Sequence, residues 1–362
     1  MKRKVVSLLL VAVMAMSLVA CGSSSDSSGS SDGDGASESS SADLPILGAG
    51  IYSASDNFNS YIGKSISNSA VGVFETNIED GQNDQATQTD QVDTMLAKGA
   101  KVIALSVVDV TAAPAIIEKA KNAGDIPVIF FNKEITDEGV IESYEHAYQV
   151  TSTSGDYGAT IQGEMIVEEW NNNPDMDKNG DGIIQIVNLM GDPGHTASQP
   201  RADYVKKAIE DAGIEYELLA EDSGMWVTAT AKDKMDAWIS KFGDEIECII
   251  TANDAMALGA LTSIEAAGFN TDGRDSDLYI PIIGIDALPE ALEKIDSGQM
   301  IGSVLQDAKT QGEVIVKMAE NMMNGNVVDE GTGFELDEEK GIRVPYQAIT
   351  SENTDVAKET YE

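Results

Sequence analysis

Cysteine and histidine are almost absent from this 362-residue chain, with two of each. A disulfide framework or a Cys/His zinc site needs more of both, so neither is expected. Basic residues are scarce as well: 23 Lys and Arg stand against 62 Asp and Glu, a formal charge of -39. Nucleic-acid binding rests on neutralising phosphates with Lys and Arg, so a nucleic-acid partner is excluded. Also missing is any apolar run of the roughly 20 residues that a spanning helix needs. What is present is 42% hydrophobic, close to the globular norm, so the acidity reads as solvated surface on a folded protein.

The amino terminus carries an address. Met1-Lys2-Arg3-Lys4 is a basic segment, and the 16 apolar residues from Val5 to Ala20 follow it, the pattern of a secretory signal peptide. Its end, Leu18-Val19-Ala20-Cys21, resembles the lipobox of bacterial lipoproteins. That resemblance implies removal of residues 1–20 and lipidation of Cys21, with the acyl anchor as the only membrane attachment. Residues 21–43 are then the lipidated cysteine and a flexible tether, because Ser, Gly, Asp, Ala and Glu bury too little apolar surface to offset the entropy of ordering. Cys248 lies within Cys248-Ile249-Ile250 and reads as a buried core residue.

Beyond the tether, short apolar runs alternate with amphipathic segments. Strands are expected at Ile46–Ser53, Val71–Thr76, Val102–Val107, Pro127–Phe131, Ile184–Met190, Tyr216–Ala220, Cys248–Thr251, Ile282–Ile285 and Ile301–Leu305. Helical stretches lie between them, such as Gln85–Lys98, Asp156–Asn171 and Arg201–Ala212. Val- and Ile-rich strands separated by helices indicate an α/β architecture with parallel sheets covered on both faces. The length from Leu44 onward exceeds what one core usually organises, so two lobes are expected.

In open parallel sheets, ligands bind beyond the carboxyl ends of the strands. Those positions hold Asp56-Asn57-Phe58, Asn132, Asn253-Asp254, Asp286 and Gln306-Asp307. Taken singly, each residue of this type is more often a helix N-cap than a ligand contact. Repetition at five strand ends favours binding, since planar amides and carboxylates can each bridge two neighbouring hydroxyls of an uncharged polyol.

At this point the sequence resembles the periplasmic glucose/galactose-binding proteins of ABC sugar importers. The matching segments are Asp56-Asn57-Phe58, Gln82 to Gln85, Phe130 to Glu134, Gly191 to His195, Met225-Trp226, Ala231 to Trp238, Asn253 to Ala257 and Gly284 to Leu292, and the likeness runs from about Leu47 to Tyr346. It implies two Rossmann-like lobes with parallel sheets joined by a three-crossover hinge, the type I periplasmic binding protein fold. The lobes are expected at 44–151 plus 306–342 and at 152–305 plus 343–362. By the same resemblance, Asp56, Asn132, His195, Arg201, Asn253 and Asp286 hydrogen-bond a sugar, Gln306 stands at a further contact position, and Phe58 and Trp226 sandwich the ring. A pyranose suits such a site, with apolar C–H faces for aromatic planes and a hydroxyl rim for polar pairs. Arg201 is expected to hold its neighbouring carboxylates ionised.

Two positions depart from the family pattern. Ala197 stands where the family has Asp, and Gln306 where it has Asn. The first removes an acceptor for a hydroxyl near the anomeric carbon, worth on the order of 1.5–3 kcal/mol, and the second changes reach. Reduced discrimination at the anomeric position is expected, which keeps a glycoside or another hexose or pentose in view beside galactose and glucose.

Asp177 to Gln185 matches the first nine positions of an EF-hand loop, with oxygen ligands at 1, 3 and 5, a turn glycine at 6 and a backbone carbonyl at 7. Asp177, Asn179, Asp181, the carbonyl of Ile183 and Gln185 are the candidate ligands. A frame starting at Asp175 places Gly182 at the apolar position 8 and is disfavoured. Position 12 is Asn188, so the bidentate carboxylate comes from elsewhere, and the resemblance implies Glu247. A Ca2+ bound here is structural, since no nucleophile or base in the loop faces the cleft.

No phosphate-binding Gly loop, nucleophile elbow or carboxylate–His set accompanies His195, and His146 reads as an ordinary surface or core residue, so an enzyme is not expected. The reading is an extracytoplasmic, lipid-anchored, monomeric solute-binding protein that passes a monosaccharide to an ABC permease by hinge closure. A chemoreceptor or sensor kinase is the alternative partner.

Overall fold

Strands form where β-branched and aromatic residues run together and can be covered from both sides. Every residue of Val102–Leu105, Val128–Phe131, Cys248–Thr251 and Ile282–Asp286 is buried. The structure, a computed structural model, describes residues 44–276 and 278–361; the signal peptide, Cys21 and the tether lie outside the described residues. In chain order the elements are β1 (Ile46–Ile51), α1 (Asn57–Ser69), β2 (Glu75–Asp80), α2 (Gln85–Ala97), β3 (Val102–Leu105), α3 (Ala113–Asn122), β4 (Val128–Phe131) and β5 (Ala147–Ser152). There follow α4 (Gly155–Asn172), β6 (Ile183–Met190), α5 (Ser198–Asp211), β7 (Glu215–Ser223), α6 (Thr228–Phe242), β8 (Cys248–Thr251), α7 (Asp254–Ala266), β9 (Ile282–Asp286), α8 (Pro289–Asp296) and β10 (Gly302–Leu305). The chain ends with α9 (Ala308–Asn324), β11 (Gly341–Val344), β12 (Gln347–Ile349) and α10 (Thr354–Lys358).

The strands make two six-stranded sheets, ordered β11-β5-β4-β3-β1-β2 and β12-β10-β9-β8-β6-β7. All pairings are parallel except β10 with β12. Period-2 alternation sends Leu47, Ala49, Val102, Ala104, Ile129 and Phe131 to a core shared with Ile62, Ile315 and Met318, while Ile103, Leu105, Val128 and Phe130 face Met95, Ile116 and Ile117. The second sheet repeats this plan, with Val187, Leu189 and Ile249 against Met256 and Leu261, and Ile186, Cys248 and Ile250 against Ile166, Val205 and Ile209. Burial at Cys248 pushes its thiol far above the usual range, consistent with an inert core residue.

Three connections cross between the sheets: β5 to α4, β10 to α9 and β11 to β12. This is the two-lobed, three-crossover α/β fold expected from the sequence. One strand sits elsewhere. Val71–Phe74 is the turn that closes α1, where Phe74 N–H donates to the Ala70 carbonyl and Val71 is 78% exposed. The strand is the polar Glu75–Asp80 at the sheet edge, where one side carries no neighbour and hydrophobicity is not required.

Candidate functional site

In each sheet the strand order reverses, beside β1 in the first and beside β6 in the second. A reversal leaves a crevice beyond the carboxyl ends of the strands. A single cavity of about 320 Å³ opens there, and all nine residues expected to contact ligand line it. The first sheet supplies Asp56 and Phe58 after β1 and Asn132 after β4. The second supplies His195 between β6 and α5, Arg201 in the first turn of α5, Trp226 after β7, Asn253 after β8, Asp286 at the end of β9 and Gln306 after β10. Phe58 therefore enters from one lobe and Trp226 from the other.

The capping and binding readings of these residues are not exclusive. Asp56 Oδ1 accepts from Asn59 N–H at 2.7 Å and starts α1, and Asn253 Oδ1 accepts from Met256 N–H at 3.0 Å and starts α7. The other Asp56 oxygen accepts from the Tyr52 hydroxyl, and the Asn253 amide group donates to the Trp226 carbonyl at 3.4 Å, at residues that line the cavity. At β10 the duties are split: Asp307 caps α9 through Thr310 N–H, so Gln306 is released for other contacts.

Backbone strain gathers at the same place. Asn132 has φ 65°, Trp226 φ 63° and Asp286 φ 117°, all in the left-handed region that non-glycine residues avoid. Surrounding structure must hold them. Asp254, buried in α7, accepts from Leu288 N–H at 2.8 Å and from the Ser303 hydroxyl at 2.7 Å, while Ser303 Oγ accepts from Ala287 N–H. Together they pin the strained Asp286–Leu288 turn. Trp226 depends on a glycine: a Cβ at Gly191 would fall 2.0–2.4 Å from the indole ring.

The cavity is electrostatically prepared for hydroxyl groups. His195 Nδ1 accepts from Ala197 N–H at 3.1 Å, which leaves Nε2 as the protonated donor. Burial, reinforced by Lys133 and Arg201, holds its pKa well below the ordinary value, so the ring stays neutral. Arg201 is pulled down by burial, but Tyr346, Asp286 and Asp56 outweigh that and keep it charged. It donates to the Ala252 carbonyl at 2.6 Å and to the Tyr346 hydroxyl at 3.2 Å, and its guanidinium lies 5.6 Å from the Trp226 ring centroid. Among the described residues, Arg201 Nε and Trp226 Nε1 are buried with no partner. Buried donors are satisfied in nearly all proteins, so two orphans beside one cavity point to a ligand with acceptor oxygens.

The carboxyl groups behave differently from expectation. Arg201 does not dominate them: burial pushes Asp286 well above the carboxylate range and raises Asp56, even though Tyr52 O–H and Asn59 N–H both donate to the latter. Desolvation exceeds the Coulombic term because Asp286 is almost wholly buried and Asp56 sits within the crevice between the sheets.

Sequence reasoning missed Tyr52, Glu134 and Tyr346, which also line the cavity. Tyr52 follows β1 directly and bonds Asp56; Glu134 lies two residues after Asn132 and pairs with Arg343 at 2.6 Å. Tyr346 ends the third crossover. Its hydroxyl donates to Gln306 Oε1 at 3.2 Å, where the Ser152 hydroxyl of the first crossover also donates at 3.0 Å. Gln306 belongs to the second crossover, so its carboxamide joins all three.

The Asp177–Gln185 loop closes on its own side-chain-to-backbone hydrogen bonds. Asp177 accepts from the N–H groups of Gly180, Asp181 and Gly182, and Asp181 Oδ1 from Ile183 N–H. Asn179 and Gln185 meet at 3.2 Å, Gln185 reaches Asp181 Oδ2 at 3.1 Å, and Glu247 accepts from Lys178 N–H and Gln185 N–H. No group of three or more His, Cys, Asp or Glu occurs around one metal position among the described residues. The loop's donors are mixed carboxylate, amide and carbonyl oxygens, a set that fits a hard cation such as Ca2+ and not a transition metal.

Residues 51–326 match the model of the periplasmic binding protein domain family. The chain is 44% identical over 310 residues to the D-galactose/methyl-galactoside binding periplasmic protein MglB of Haemophilus influenzae, covering 85% of this chain and 90% of that one. It is 29% identical to a putative rhizopine-binding protein of Rhizobium meliloti, over 76% of this chain and 80% of that one. An ABC transporter solute-binding protein from Bacillus halodurans, solved with myo-inositol, superposes with a TM-score of 0.72 at 27% identity, covering 88% of this chain and 99% of the other. The chain belongs to the periplasmic binding protein family, extracytoplasmic solute receptors and not enzymes, in its glucose/galactose-binding group.

Proposed function

We propose that the protein captures a monosaccharide of the galactose or glucose type, or a glycoside of one, between its lobes and presents the closed form to an ABC permease. The observation that carries this reading is the convergence of nine side chains from separate strand ends of two sheets on one cavity, with the orphaned donors Arg201 Nε and Trp226 Nε1 beside it. Asp56, Asn132, His195, Arg201, Asn253 and Asp286 serve the hydroxyl rim, Phe58 and Trp226 the two faces, and Gln306 the junction of ligand and hinge. Groups from both lobes must be near the sugar at once, so binding favours the closed state over the open one. The lobes are taken as 44–151 plus 306–342 and 152–305 plus 343–362.

Two further assignments belong to this reading. Cys21 carries the lipid that holds the protein at the outer face of the membrane. Asp177, Asn179, Asp181, the Ile183 carbonyl, Gln185 and Glu247 hold a structural Ca2+, which would tie the β6 loop to the start of β8. Calorimetric titration with D-galactose, D-glucose and their methyl glycosides tests the proposal: micromolar or tighter binding of at least one is expected, and no heat with any sugar of the panel overturns it.

A further inference from the structure

The carboxylate of Asp286 hangs from a strained stretch of backbone, and one motion would relieve part of that strain. Asp286 has φ 117° and Ala287 φ 53°. Turning the peptide between them through half a rotation would carry Ala287 from the left-handed region into extended backbone, which an L-residue prefers. The same turn changes the bond directions at the Asp286 Cα, and so displaces the carboxylate that lines the cavity. The unrelieved form has to be held.

Side chains hold both polar ends of this one peptide. Its N–H, on Ala287, donates to Ser303 Oγ at 3.0 Å, and its carbonyl, on Asp286, accepts from the Tyr361 hydroxyl at 2.9 Å. Ser303 stands on the neighbouring strand β10, whereas Tyr361 arrives from beyond α10. Burial pushes the Tyr361 phenol well above its usual pKa, with Asp286, Asp254 and Tyr61 adding to this, so the hydroxyl remains a donor.

Tyr361 is anchored from the layers of both sheets. On the side of the second sheet, Thr354 Oγ1 and Lys358 Nζ of α10 donate to Asp296, the last residue of α8, at 2.7 and 2.8 Å. On the side of the first sheet, Lys309 Nζ of α9 donates to the Glu359 carbonyl at 3.0 Å, and the Tyr361 ring meets Tyr61 of α1 edge to face with centroids 4.6 Å apart. Tyr61 packs against the cores of both sheets. It follows Phe58 by three residues, the spacing that puts two side chains on one face of a helix. Phe58 and Asp286, which reach the cavity from different sheets, are therefore joined through the pair Tyr61 and Tyr361.

We propose that Tyr361 is a positioning residue of the ligand site: its hydroxyl holds the Asp286–Ala287 peptide in its strained orientation, and its ring sets that peptide against α1, which carries Phe58. The inference rests on the monosaccharide reading above and adds to it a residue that does not itself line the cavity.

Tyr361→Phe removes the hydroxyl alone and keeps the ring against Tyr61, so the fold is retained. Calorimetry with D-galactose, D-glucose and their methyl glycosides is expected to show a fivefold or greater loss of affinity for whichever binds most tightly to the wild type. The Tm of the sugar-free variant should move by no more than about 2 °C, because the freed peptide relaxes and recovers part of the lost bond. A tyrosine that served only stability would lower Tm and leave affinity in place. Ala287→Gly removes the penalty on positive φ, so Tyr361→Phe combined with Ala287→Gly should bind at least threefold more tightly than Tyr361→Phe alone. If Tyr361→Phe binds sugar as tightly as the wild type, or Ala287→Gly recovers none of its loss, Tyr361 does not position Asp286 while the monosaccharide reading stands. Absence of binding by every sugar of the panel to the wild type overturns both.

Discussion

Gln306 Nε2 donates to Asp286 Oδ1 at 2.7 Å, and both side chains are almost wholly buried. The same carboxamide accepts from Ser152 and Tyr346, so a group at the ligand cavity is bonded directly to each strand of the hinge. The extra methylene relative to the family's asparagine lets one side chain span these partners. On the proposed function, a sugar held at Asp286 would thereby be coupled to the geometry of the hinge.

Gln306→Leu keeps the volume and removes every one of these bonds. It leaves buried donors on Ser152 and Tyr346 unpaired, each costing about 1–3 kcal/mol. Sugar affinity is expected to fall at least tenfold in calorimetry, with a lower Tm. Unchanged affinity in a folded variant would remove Gln306 from the coupling.

The Trp226 platform hinges on Gly191. Gly191→Ala puts a methyl where the indole lies, so the ring must turn away from its strained position. An expected loss of tenfold or more in affinity corresponds to about 1.4 kcal/mol, and the intrinsic fluorescence change on adding sugar should shrink with it. Wild-type titration curves from Gly191→Ala would show that the ring has room to spare.

Sugar binding should release protons. Burial raises the pKa of Asp286 and of Asp56 in the ligand-free cavity, with Arg201 opposing this at both and Asp254 adding to it at Asp286. Hydroxyls donating to these carboxylates favour their charged forms and lower the pKa. The free protein therefore holds more protons than the complex, and affinity weakens as pH falls. His195, already neutral, contributes no step near pH 6.5. Calorimetry in buffers of different ionisation heat checks the sign; proton uptake on binding would contradict it.

Chelation should destabilise the fold. A ligand present at about 100 times its Kd stabilises by roughly 2.7 kcal/mol, which in a protein of this size is a Tm change of about 5 °C. EDTA is expected to lower Tm by that order and Ca2+ to restore it, with no response in Asp177→Ala. A chelator-insensitive wild type would reduce the loop to an Asx-turn cluster.

The α/β class was legible in Val- and Ile-rich runs such as Val102–Leu105 and Ile282–Ile285, whose burial on both faces leaves a continuous apolar signature. The polar edge strand β2 was not, because an edge with one unpaired side imposes no hydrophobic pattern; Val71 instead marks an exposed turn. The positions of Asp56, Asn132, Asn253 and Asp286 at strand ends could be read, since parallel sheets place ligands there. The roles of Tyr52 and Tyr346 could not, because they follow from contacts made across the fold. The balance at Asp286 escaped for a related reason: sequence shows Arg201 as a charge, but burial decides which term wins.

A crystal structure of the protein grown with D-galactose, or with whichever saccharide the calorimetric panel selects, bears most directly on the cavity's purpose. A single saccharide ring between Phe58 and Trp226, with its hydroxyls within hydrogen-bonding distance of Asp56, Asn132, Asn253 and Asp286, is the expected result. A saccharide bound elsewhere, with Phe58 and Trp226 turned from one another across an empty crevice, would contradict it.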